Sequence, residues 1–130
     1  MALIEEALFT RLSGFAGLVA LVAARIYPVV LPQDVTLPAV SYQRVSGPRT
    51  SAMGSDPGLS HPRFEVSAWS EDYLTAKTVK EQIRAALQRW RGTVSGVVVI
   101  DTFLLGERDL YDPATLLYHV PVDVVIHHRE

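Results

Sequence analysis

The chain has 130 residues, with 12 basic against 14 acidic side chains and no cysteine. That length fits one domain, 1–130, able to bury roughly two-thirds of the surface that the unfolded chain exposes. A net charge of −2 argues against general electrostatic capture by nucleic acid or anionic membrane, and the lack of cysteine excludes disulfides, thiolate nucleophiles and cysteine-ligated metals.

From Ala2 to Leu12, Ile4, Leu8 and Leu12 recur every four residues while Glu5, Glu6 and Arg11 fall on the other side, which predicts an amphipathic helix. Ser13-Gly14 interrupts it. A second helix follows over Phe15 to Ala24, rich in alanine and leucine and stopped before Pro28. This apolar run is half the roughly 20 residues that a bilayer span needs. Its length suits a secretion signal, but Glu5 and Glu6 stand where such a signal carries positive charge, so it reads as a helix packed on the domain.

Pro28, Pro32 and Pro38 cut the next stretch into extended pieces, with a short edge strand over Ile26 to Val30. Ala39 to Ser46 alternates as a strand, Val40 and Tyr42 on one face and Ser41 and Gln43 on the other. Residues 47–60 are dense in Gly, Pro, Ser and Thr and predict a flexible loop. Arg63 to Ser70 alternates again, forming a long hairpin with the previous strand. Phe64, Val66 and Ala68 share one face. Trp69 lies on the other, where only another layer or another subunit could cover it.

Ser70-Glu71-Asp72 predicts a helix start. Ala76, Val79, Ile83, Leu87 and Trp90 then follow a helical rhythm that Gly92 ends. Val97 to Leu105 is a β-branched and aromatic run suited to a central strand. Leu116 to Ile126 alternates as a last strand, and Pro121 places it at an edge or at a bulge. The sum is an α+β fold: an antiparallel or mixed sheet of four to five strands with two to three helices packed on one face.

Catalytic and metal chemistry find little support. His119 and His127 are eight residues apart on one strand, roughly 26 Å, and cannot share an ion; adjacent His128 points to the other face, and His61 would need help from elsewhere. Glu107, Asp109 and Asp112 form an acidic cluster that reads as turn chemistry, with Arg108 within reach of neighbouring carboxylates and Asp112-Pro113 opening a turn. No phosphate loop, nucleophile elbow or His-Glu-x-x-His pair occurs. Tyr27, Tyr42, Trp69, Tyr73, Trp90, Tyr111 and Tyr118 suit core and interface roles better than nucleic-acid stacking, because basic companions are sparse.

Three phrases in order carry more information: Arg25-Ile26-Tyr27-Pro28, then Leu37-Pro38-Ala39-Val40-Ser41-Tyr42-Gln43, then Glu107-Arg108-Asp109-Leu110-Tyr111-Asp112-Pro113. With Leu31-Pro32-Gln33, Arg63-Phe64-Glu65-Val66 and the alanine-rich helix between them, the whole chain resembles the tail completion, or tail terminator, family of long-tailed bacteriophages, prophages and gene-transfer particles. The resemblance implies a non-enzymatic virion subunit without cofactors. It would form a ring, usually sixfold, on the head-proximal end of the tail tube, stop tube polymerisation, and present a docking face to head-completion proteins while DNA passes through the lumen unrecognised. Its place would be the virion tail, with assembly in the host cytoplasm.

Ring closure needs complementary surfaces rather than a nucleophile. The candidate assembly residues are Arg49, Thr50, Met53 and Asp56 in the loop, which would project toward the lumen or tube, together with Trp69, Arg108, Asp109, Tyr111 and Asp112. A head-closure or connector ring of the same virion, and a small-molecule-binding or enzymatic domain, are the competing expectations.

Overall fold

The computed structural model describes residues 3–46 and 59–129. Among these residues the chain order is α1 (Ile4–Ser13), α2 (Ala16–Val22), β1 (Ile26–Pro28), β2 (Ala39–Ser46), β3 (Leu59–Ser60), β4 (Arg63–Ser70), α3 (Tyr73–Leu87), β5 (Gly92–Val94), β6 (Val97–Glu107), β7 (Leu110–Asp112) and β8 (Leu117–Arg129). The fold is α+β with three helices, and its one sheet runs β1-β2-β4-β8-β6-β5, with β3 and β7 also paired to β8. Among the described residues only the β1–β2 pair is parallel.

Among the described residues eight strands replace the expected four or five. The additional ones, β3, β5 and β7, are two or three residues long, too short for a period of two to register. Leu59 and Ser60, expected within the flexible loop, are β3 and pair with Arg129 and His128. The remaining loop residues lie outside the described residues.

The expected position of the last strand is also corrected. β8 lies at the centre, between β4 and β6, whereas β6 is one strand from the edge. Pro121 is tolerated there because of where its nitrogen points. A strand residue directs its nitrogen and carbonyl to the same edge, and the Pro121 carbonyl accepts from the Arg108 N–H at 3.1 Å. Its nitrogen therefore faces the corner where β6 ends at Glu107 and β7 has yet to begin at Leu110, a place with no ladder acceptor to satisfy.

Helix α3 starts later and ends earlier than the sequence suggests. Asp72 is its N-cap, accepting from the Thr75 N–H at 2.9 Å, and Leu87 is its last residue. The reversal comes at Arg89, whose φ of 59° is left-handed, rather than at Gly92, which opens β5 with a φ of 127°. The Arg89 N–H donates to the Thr102 carbonyl at 2.9 Å, and the buried Thr102 hydroxyl donates to the Trp90 carbonyl at 3.0 Å. Trp90 thus enters the core from beyond the helix, on the β6 side.

One core lies between the helices and one face of the sheet. It joins Leu8, Leu12, Leu18 and Ile83 to Val40, Phe64, Val66, Val120, Val122 and Ile126. The strand contributors share one parity on each strand, so their neighbours of opposite parity form a second face that no helix of the described residues covers.

Candidate functional site

That second face holds the candidate site. Segment 29–38, between β1 and β2, folds over it as a strap, and a groove of about 850 Å³ lies between strap and sheet. Ser41 and Gln43 of β2, Glu65, Ser67 and Trp69 of β4, and His119 of β8 form the floor, with Val29 to Val35 on one wall and Asp112, Thr115 and Leu117 on the other. The strap begins under strain. Val29 has a φ of 63°, unusual for a β-branched residue, and its N–H donates to the Tyr42 carbonyl at 2.8 Å.

Trp69 occupies the middle of the floor. It stacks on His119 of the neighbouring strand, centroids 3.8 Å apart and planes within 8°, and its Nε1–H donates to Ser41 Oγ at 2.8 Å. Trp69 and His119 are direct partners in the β4–β8 register, which brings side chains of facing positions into contact. Part of the extra layer that the tryptophan needs is thus its own chain. Burial, and secondarily the charge of Arg108, push His119 below its ordinary pKa, against an opposing pull from Asp112. Its Nε2 is buried and has no hydrogen-bond partner among the described residues.

The acidic cluster at the β6–β7 corner is divided among three jobs. Glu107 reaches the ammonium of Lys80, 3.2 Å away. Asp109 accepts from the Tyr73 hydroxyl at 2.7 Å and from Lys77 at 3.0 Å, and these two bonds hold its carboxyl below the usual range. Asp112 caps its own turn, accepting from the Ala114 N–H at 2.9 Å. Arg108 does not pair with these neighbours; it crosses to Glu65 of β4 at 3.1 Å. Tyr111 is exposed and lies against Tyr118, centroids 4.9 Å apart.

Of the candidate assembly residues, Trp69 and Asp112 therefore line the groove, Arg108 is tied to its floor through Glu65, and Asp109 and Tyr111 belong to the corner beside it. Arg49, Thr50, Met53 and Asp56 lie outside the described residues. Sequence reasoning missed the strap, Ser41, Gln43 and His119 as members of one site. The available signal was the polar parity of β2 and β4, where Ser41, Gln43, Glu65 and Ser67 alternate with core residues.

Tertiary structure does bring His61 beside His127, ring centroids 5.5 Å apart. Among the described residues, however, no three His, Asp or Glu side chains converge in a way that could hold a metal ion. Among the described residues no helix is long and apolar enough to cross a membrane.

A family model for tail completion protein gp17 matches residues 6–129. The chain belongs to this family. On that membership it is a structural tail protein, and the three phrases of the sequence fall within the matched region. Its fold is similar to that of a chain from a solved structure of the virion of a native gene transfer agent particle, with a TM-score of 0.83 at 18% identity, covering 99% of this chain and 96% of that one. A second solved structure matches with a TM-score of 0.65 at 15% identity, over 98% of this tail completion protein and 93% of the other chain. No curated protein sequence matches.

Proposed function

We propose that this tail completion protein assembles as a ring, of six copies, on the head-proximal end of the tail tube, where it stops tube polymerisation and offers the surface on which the head docks. The observation that carries this reading is the match to the tail completion family from residue 6 to residue 129. The likeness in fold to a gene transfer agent virion chain supports the same setting. The partners on this reading are further copies of the chain, the tube protein and head-completion proteins, with DNA passing through the lumen.

Physical economy agrees with it. Capping a polymer end requires a closed symmetric assembly with one surface for the tube and another for the head. The open sheet face, with its groove over Trp69 and His119, provides such surface on a rigid scaffold.

The test is direct. Purified protein added to growing tail tubes should arrest elongation at one end and appear there as a ring by electron microscopy. Binding to heads with no effect on tube growth would favour the head-closure position instead.

A further inference from the structure

The molecule carries two surfaces of opposite charge at opposite places. The groove is lined by four carboxylates, Asp34, Glu65, Glu71 and Asp112, and among the described residues no lysine or arginine lines it. Arg108 offsets Glu65 alone. Diagonally across the sheet, Arg89 and Arg91 share a single carboxylate, Asp101, at 2.8 and 3.6 Å, and their side chains are 52% and 60% exposed. Arg11 stands nearby, its Nε–H donating to the Ala86 carbonyl at 2.7 Å.

These surfaces are separated in both directions of the sheet. The groove lies over β2, β4 and β8 and includes Glu71, just before α3. The arginines follow the other end of α3 and flank β5, the opposite edge strand. Along α3 alone the separation is about 22 Å, from its 15 residues at ~1.5 Å each.

Each charged surface also has apolar company. Arg89 lies over the Phe103 ring at 4.8 Å, and Val98, Ile100 and Phe103 are exposed along β6. The groove is rimmed by exposed Val29 and Val30. An apolar centre with arginine beside it is the composition of a protein interface.

We propose that the occupant of the groove is a second copy of this chain, whose Arg89–Arg91 corner and β6 strip seat against Trp69, Glu71 and Asp112. This inference rests on the ring reading above and names the contact that would build the ring. Two different, complementary patches on one subunit make a heterologous, head-to-tail contact, the kind that closes into a ring. The groove carboxylates that have no cation partner among the described residues of one subunit are paired by the next, and the buried Nε2 of His119 gains a polar neighbour.

Because the chain has no cysteine, cross-linking can test this contact. Thr115→Cys in the groove wall and Thr93→Cys on β5, beside the arginine corner, are both at exposed positions. A chain with both substitutions, assembled on tubes and treated with a flexible bis-maleimide, should give a ladder of covalent oligomers ending at the ring size; either substitution alone should give none. Rings visible on tubes without a ladder would overturn this contact and leave the capping reading standing. Unmodified protein that forms no ring on tubes would overturn both.

A charge exchange supplies the second readout. Glu71→Arg with Thr115→Arg, or Arg89→Glu with Arg91→Glu, should each lower ring yield about tenfold or more, and combining all four changes should restore it. Circular dichroism of each variant controls for folding. Equal loss in the combined variant, with native-like dichroism, would contradict the pairing.

Discussion

Trp69 and His119 lie directly opposite one another on β4 and β8, their rings stacked 3.8 Å apart on the face of the sheet away from the helices. The pair fixes the floor of the groove. It also places a titratable ring under an aromatic one, where the imidazole loses contact with water. Trp69→Ala should lower stability by about 1–3 kcal/mol and leave the far-ultraviolet dichroism unchanged, which urea unfolding followed by Tyr fluorescence and dichroism can measure.

The same burial gives a pH dependence with a definite sign. His119 has a folded pKa below its ordinary value of 6.5, chiefly through burial, so the unfolded chain takes up a proton more readily than the folded one. Its effect on stability is absent above the unfolded pKa, and stability falls as pH drops below that value until the folded pKa is passed. His119→Phe, which preserves an aromatic stack, should flatten the slope of urea midpoint against pH between about 7 and 5. An unchanged slope would assign the acid sensitivity to other groups.

Leu116 adopts a φ of 60° and is exposed, a left-handed conformation that costs a non-glycine residue about 1–2 kcal/mol. Glycine would remove that strain but gains chain entropy when unfolded, so Leu116→Gly should raise stability by about 0.5–1 kcal/mol. Leu116 stands between Thr115 and Leu117, both of the groove wall, so the same substitution, by loosening that wall, should weaken ring formation. A thermal melt and a ring-yield measurement on one variant would separate the two effects.

The ion pairs differ in what they contribute. Arg108 and Glu65 are 3.1 Å apart, but the arginine side chain is 54% exposed, so Arg108→Ala should cost less than about 1 kcal/mol. Phe64, two positions from Val66 on the inward face, is fully buried, and Phe64→Ala should cost about 3–5 kcal/mol. Urea unfolding of both variants should show this order; the reverse would mean that the corner, not the core, dominates stability.

Much of the fold was legible because the long elements repeat their pattern. Val40, Phe64, Val66 and Val120 to Ile126 announce their faces through alternation, and Leu8, Leu12, Ile83 and Leu87 through helical spacing. What was lost depends on distant partners. The end of α3 is set by hydrogen bonds from Arg89 and Thr102 across the chain, not by Gly92. The central place of β8 was hidden by Pro121, whose missing donor matters only on an edge that β6 happens to leave open. The groove was hidden in the same way: the parity of Trp69 showed that it needed cover, but not that His119 and a strap from 29–38 would supply part of it.

The central claim, that the protein ends tail tubes, is tested most directly by deleting its gene from the parent phage or prophage and measuring tail length and head attachment in negative-stain micrographs. The predicted result is overlong tubes without heads, returning to normal length when the unmodified gene is supplied in trans. Tubes of normal length joined to heads would contradict it.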